Sequence, residues 1–215
     1  MTEPYLLWSL ADDFSINNSN PSPVWSYGYK EDANGSLTLF TQLLADPHDT
    51  KVYAWYESNV GWFTPGQWLG VYYNSKATSV NVSYSQIIMF PPHGVGMHPG
   101  NDGRFSVARY TAPIDGNYSV TAIFSHIDID SNATYASTGV YILYNNLNKL
   151  FDDIIYGIKG TTFFKSDGSI NLKANDTIDF IVGVGPDKTY NYDMTNVNAY
   201  IYLSQYCTIE CQKYP

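Results

Sequence analysis

Tyr118-Ser119-Val120-Thr121-Ala122-Ile123-Phe124-Ser125 puts Tyr118, Val120, Ala122 and Phe124 on one face and Ser119, Thr121, Ile123 and Ser125 on the other, because successive strand side chains point to opposite sides. The turn formers Pro113-Ile114-Asp115-Gly116 stand just before it, so the chain enters this strand from a reversal. The same alternation recurs in Ile178, Phe180, Val182 and Val184, and again in Ala199, Ile201 and Leu203. Each run presents one apolar face. Several such half-apolar strands need two sheets face to face, since a single sheet would leave its apolar surface in water. An all-β fold follows: a two-sheet antiparallel β-sandwich of jelly-roll type.

Outward from these runs, Gly, Pro, Asn and Asp punctuate the chain at short intervals. Further strands are expected at Leu37 to Leu43, Val52 to Glu57, Leu69 to Tyr73, Val80 to Phe90, Phe105 to Tyr110, Val140 to Tyr144 and Ile170 to Lys173. Leu150 to Gly160 is open between a turn or two of helix, an irregular crossing and a strand. The 215 residues suit one large sandwich. We divide them into an N-terminal arm (1–13), the sandwich (14–204) and a C-terminal tail (205–215).

The chain carries 20 Tyr, 10 Phe and 5 Trp, while charged residues make up only 14%. That balance favours strands and leaves solubility to neutral polar groups. With 11 basic and 20 acidic side chains the formal charge is -9, which opposes a phosphate backbone and argues against a nucleic-acid partner. No apolar run approaches the roughly 20 residues of a membrane span. Met1 to Leu10 lacks a basic n-region and does not have the form of a signal peptide.

Six Asn-x-Ser/Thr sequons, at Asn17, Asn34, Asn81, Asn117, Asn132 and Asn175, are candidate glycosylation sites for a product made outside the cytoplasm. Cys207 and Cys211 are the only cysteines. A local or inter-subunit disulfide and free thiols are both open, whereas a metal site would need two further ligands that the tail does not offer.

From His98 to Ile201 short marks follow in a set order: His98-Pro99-Gly100, Val107 to Pro113, Gly116-Asn117-Tyr118, Gly139-Val140, Leu150-Phe151, Leu172 to Phe180, and Val182-Gly183-Val184-Gly185, preceded by Trp25-Ser26-Tyr27-Gly28-Tyr29. This order resembles a β-sandwich domain of secreted bacterial proteins, often those sorted by a PEP-CTERM-type signal. More loosely it is similar to the tumour-necrosis-factor and complement globular-head jelly rolls and to carbohydrate-binding sandwich modules. The resemblance implies binding and assembly at an extracellular surface.

No Gly-x-Ser-x-Gly, His-Glu-x-x-His or phosphate loop is present, so the reading is non-catalytic. Gly183-Val184-Gly185 lacks the third glycine of a dinucleotide fingerprint, with Lys188 in its place. Asp128, Asp130 and Asn132 place oxygens at alternate positions as calcium loops do. The loop lacks the central glycine, and a solvated turn stands beside calcium as the alternative. His93, His98 and His126 are too scattered in sequence to define a site. Tyr200 and Tyr202 fall on the face opposite Ala199, Ile201 and Leu203, where aromatic rings serve either a protein interface or a sugar platform.

Two functions are weighed. The first is a structural subunit of a self-assembling extracellular fibre, sheath or virion surface, a homo-oligomer joined by sheet edges, terminal arms and aromatic interfaces. The alternative is a glycan-binding module using Trp55, Trp62 and Trp68 as ring platforms.

Overall fold

A computed structural model describes residues 6–17, 19–45, 51–57, 68–83 and 87–206. The chain begins with β1 (Leu6–Ser9), β2 (Trp25–Lys30), β3 (Thr38–Leu39), β4 (Gln42–Ala45), β5 (Val52–Tyr56) and β6 (Gly70–Asn74). Next come β7 (Val80–Ser83), β8 (Ile87–Phe90), β9 (Val95–His98), β10 (Phe105–Thr111) and β11 (Gly116–His126). A 3-10 turn at Ser131–Tyr135 leads into β12 (Ser137–Tyr144) and β13 (Asn148–Tyr156). The last four are β14 (Thr161–Lys165), β15 (Ile170–Leu172), β16 (Thr177–Val184) and β17 (Thr195–Tyr206).

These strands form the expected two-sheet antiparallel sandwich. One sheet runs β14-β11-β17-β9-β6-β5-β4, and the other β13-β12-β16-β10-β2-β3. The first is built on the long β11–β17 ladder, which holds register from Tyr118↔Leu203 to His126↔Thr195. Both spine strands outlast their outer neighbours, so each serves two in succession. β11 pairs β15 and then β14, while β17 pairs β9 and then β1.

The facing layers bury the alternating residues: Tyr118, Val120, Ala122 and Phe124 from β11, Val197, Ala199, Ile201 and Leu203 from β17, and Ile178, Phe180 and Val182 from β16. Trp25, Tyr27 and Tyr110 join them, with the Trp25 and Tyr110 rings edge to face at 5.5 Å between centroids. Aromatic packing of this kind adds about 0.5–1.5 kcal/mol per pair beyond area burial. Outside the first sheet, β7 and β8 pair with each other and close a second cluster over Val52, Ala54, Tyr72 and Met194.

Several elements differ from the sequence expectations. Leu37 to Leu43 is two short strands, β3 and β4, which go to different sheets. Leu150 to Gly160 is mostly strand: β13 pairs β12, and the register slips between Ile142 and Leu143, which breaks the simple alternation. β2 was not expected. Trp25, Tyr27 and Tyr29 alternate with Ser26, Gly28 and Lys30, yet all six are buried, because the segment after β2 lies against Gly28 and covers its second face. A Cβ at Gly28 would stand 2.2 Å from the Thr38 carbonyl oxygen and 2.8 Å from Leu37 Cδ1. Gly28→Ala is therefore expected to destabilise by about 1–3 kcal/mol through overpacking, measured as a lowered urea midpoint. A loss under about 0.5 kcal/mol would mean that the covering segment moves aside freely.

Candidate functional site

Where β17 changes partner from β9 to β1, its edge is left without a strand neighbour. β9 pairs only Thr195 and Asn196, and β1 only Tyr200 to Leu203. A cleft of about 210 Å³ opens at this gap. β17 supplies Asn196, Asn198 and Tyr200, the turn after β1 supplies Asp12, and the segment after β8 supplies Pro91, Pro92 and His93. One carboxylate, two amides, an imidazole and a phenol ring thus share a space the size of a single small ligand.

Both flanking segments are held by their own hydrogen bonds. On one side, the Asp12 amide donates to Ser9 Oγ at 3.2 Å and the Ser9 amide to Asp13 Oδ2 at 3.0 Å, tying the turn to the strand end. On the other, the Gly94 amide donates to the Pro91 carbonyl at 3.0 Å, and His93 sits at φ 50 with its amide on the Lys76 carbonyl. Asn74 Nδ2 donates to the Pro91 carbonyl at 2.8 Å. Gly94 itself makes room for the cleft's amide, since a Cβ there would stand 2.7 Å from Asn196 Oδ1. That oxygen is buried and has no hydrogen-bond partner among the described residues, an arrangement that costs free energy unless something donates to it.

The cleft continues onto the outer face of the first sheet. Tyr200 and Tyr202 follow one another on this face with ring centroids 6.4 Å apart. Thr121 stands opposite Tyr200, and Ser119 opposite Tyr202. Tyr202 is 36% exposed, and Ile123 and Phe163 lie exposed further along the same face. The surface is flat, aromatic and edged with hydroxyls.

The tryptophans proposed as platforms are placed differently. Trp55 is a core residue, 3% exposed, stacked on Tyr27 with its indole N–H donating to the Ser15 carbonyl at 2.9 Å. It offers no face to a ligand, which corrects that expectation: β5 is covered on both sides, by the core and by the β7–β8 pair. Trp68 is half-buried against the second cluster and lies 6.0 Å from the His98 ring. Trp62 falls outside the described residues, as do Cys207 and Cys211.

Asp128 is fully buried and accepts from the Met194 amide at 2.8 Å, while Asp130 caps the 3-10 turn by accepting from the Asn132 amide at 2.9 Å. One oxygen of each is taken by a backbone amide. Among the described residues no three His, Cys, Asp or Glu side chains stand together as a metal-binding group. Of the sequon asparagines, Asn17, Asn34, Asn81, Asn132 and Asn175 are exposed, and Asn117 is half-buried, accepting from Asn171 Nδ2 at 3.1 Å. Among the described residues no helix is long and apolar enough to cross a membrane.

No protein-family model matches the chain, and no curated protein matches its sequence. Among solved structures, it is similar to the CBM51 domain of Clostridium perfringens GH95 in complex with methyl-galactose, at 15% identity and TM-score 0.39, covering 67% of this chain and 96% of that one. It is also similar to CBM51-2 in complex with GlcNAc and INT domains from C. perfringens ZmpB, at 13% and 0.39, covering 77% and 41%. A family 35 carbohydrate binding module from Clostridium thermocellum aligns at 12% and 0.31, covering 59% and 94%. With TM-scores below 0.5, these likenesses carry no argument about what this chain binds.

The expectation of a self-assembling fibre, sheath or virion subunit is corrected. The solved structures just named are carbohydrate-binding modules. Of the terminal arms, the described Leu6 to Ser9 pair within the chain against Leu203 to Tyr200, and Gln205 and Tyr206 pair with Asn117 and Gly116. The resemblances to PEP-CTERM-sorted proteins and to tumour-necrosis-factor-like jelly rolls find no support in these comparisons.

Proposed function

We propose that this chain is a carbohydrate-binding domain whose site is the Asp12–Asn196–Asn198–Tyr200 cleft, extended by the ring of Tyr202. The observation that carries the reading is the cleft's composition. A sugar presents alternating hydroxyl donors and acceptors around an apolar C–H face. It is met by amides that both donate and accept, a carboxylate that accepts, and a phenol ring that covers apolar surface while keeping a polar tip. Pre-set side segments keep the ordering cost of binding low.

The single carboxylate among these groups, on a chain of formal charge -9, favours a neutral sugar over an anionic one. The ligand's nature also puts the domain to work outside the cytoplasm, at a glycan-bearing surface.

A glycan array followed by calorimetry tests this. Tyr200→Ala and Asn196→Ala are each expected to weaken binding of the best hit by about tenfold or more, equivalent to about 1.4 kcal/mol. Tyr135→Ala, 87% exposed on the 3-10 turn, is expected to leave binding unchanged. An array without hits, or affinity indifferent to both cleft variants, would overturn the proposal.

A further inference from the structure

Four ionisable side chains are buried at the end of the sandwich where β17 begins: His98 from β9, His126 from β11, Asp128 just after it, and Asp193 just before β17. His126 Nε2 lies 3.9 Å from Asp128 Oδ2. His98 and His126 interact electrostatically, and so do Asp128 and Asp193. Each leaves one polar atom without a hydrogen-bond partner among the described residues: His98 Nε2, His126 Nδ1, Asp128 Oδ1 and Asp193 Oδ2. A buried group left half-satisfied makes a region sensitive to any change in charge.

Three of the four bond one segment, the connection from β16 to β17, while His98 Nδ1 lies 2.7 Å from the Pro99 carbonyl. His126 Nε2 contacts the Tyr192 carbonyl, Asp128 Oδ2 accepts from the Met194 amide, and Asp193 Oδ1 accepts from Thr138 Oγ1 at 2.7 Å. The Tyr190 ring stands edge-on to His98 at 6.3 Å. Further along, Asp187 Oδ2 accepts from the Ser137 amide. The segment carries positive φ at Lys188 and Tyr192, so it depends on these anchors more than on regular pairing.

We infer that the four groups form a proton-operated latch: uncharged, they hold residues 185–194 and the start of β17 closed, and charging the two carboxyls releases them.

The surroundings fix the direction. Asp130 faces Asp128, and Asp187 faces Asp193, both acidic. Trp68 and Tyr190 border His98. Among the described residues no Lys or Arg contributes to holding either carboxyl ionised. Burial therefore pushes Asp128 up to about 7 and Asp193 up to about 9, while burial pulls His98 down to about 3 and lowers His126. Both carboxyls ionise as pH rises past neutrality, with the imidazoles already neutral and unable to balance them. The opening is local, of the sub-global kind that hydrogen exchange detects.

Hydrogen–deuterium exchange of the sugar-free protein at pH 6 and pH 9, corrected for intrinsic rates, tests the latch independently of any glycan. Protection of the segment spanning 185–196 is expected to fall by about tenfold or more at pH 9, while that of β16 holds. Asp193→Asn and Asp128→Asn, which keep an acceptor oxygen but cannot ionise, are expected each to remove part of that fall. Equal protection at the two pH values would overturn the inference, and the wild-type comparison decides this without a variant. A fall that both variants leave unchanged would overturn it as well.

Discussion

Replacing Asp179 by Asn is expected to cost the fold about 3–5 kcal/mol, the loss typical of removing one partner from a buried charge pair. Asp179 is fully buried on β16, and its carboxylate serves two cations. Lys30 Nζ lies 2.7 Å from Oδ2, Arg109 Nε lies 2.6 Å from Oδ1, and Arg109 Nη2 donates to Oδ2 at 2.9 Å. The register explains the meeting: Arg109 stands directly opposite Asp179 on β10, and Lys30 closes β2 on the far side of β10. Burial lowers the Lys30 ammonium, and Asp179 works against that. An amide in its place leaves Lys30, itself at 0% exposure, facing Arg109 with only the more weakly acting Asp32 as countercharge. Lys30 must then lose its proton or draw in water. The double variant Lys30→Met, Asp179→Leu removes the stranded charge and is expected to be less harmful than Asp179→Asn alone, because well-packed apolar replacement of a buried pair is often near neutral. Urea denaturation of both variants checks this. An Asp179→Asn loss below about 1 kcal/mol would mean that the pair is effectively solvated.

The same arrangement shows what sequence could and could not disclose. β11 and β17 were legible because each buries one face and leaves the other largely polar or part-exposed, so the two-residue period survives in the sequence, whereas β16 showed its Ile178, Phe180 and Val182 face although Asp179, Ile181 and Gly183 on the other are buried too. β2 carries the same alternation, Trp25, Tyr27 and Tyr29 against Ser26, Gly28 and Lys30, but the burial of its polar face was hidden, because Lys30 is satisfied by a partner about 150 positions away in the chain. Trp55 failed as a platform for a related reason. β5 is sandwiched between the core and the β7–β8 pair, and nothing local to Val52–Tyr56 announces a second cover. Of the cleft, the outward setting of Tyr200 and Tyr202 was visible from alternation alone. Asp12, His93 and Asn196 were not, since they meet only because β17 passes from β9 to β1. A change of strand partner leaves no mark in the residues that later line it.

Stability is expected to fall as pH rises from about 6.5 to about 9, and to fall again in acid. On the alkaline side, Asp128 and Asp193 hold protons in the folded state to about 7 and about 9, whereas the unfolded chain releases them near 3.8. The folded state then binds more protons than the unfolded one, so stability drops as pH rises until each group ionises. On the acid side, unfolded histidines take up protons below 6.5 that buried His98 and His126 refuse, so stability drops as pH falls. Between 3.8 and 6.5 the buried imidazoles act with the opposite sign to the two carboxyls and offset part of their effect. Asp115, held down by the Ala174 amide and Lys173, and Asp176, held down by the Lys173 amide, add to the acid limb, since depressed carboxyls lose their contribution as pH falls. Each unbalanced proton is worth about 1.4 kcal/mol per pH unit, so Asp193 with a share from Asp128 sets a loss of about 3–4 kcal/mol between pH 6.5 and pH 9. Lys30, lowered by burial, acts with the opposite sign, and only as pH nears its own ionisation. Urea midpoints taken across this range should decline above pH 6.5, and Asp193→Asn, with no proton to lose, should flatten most of the decline. A wild-type midpoint that holds or rises from pH 6.5 to pH 9 would mean that these carboxyls are ionised in the folded protein at neutral pH, and that their burial is balanced by something other than a proton.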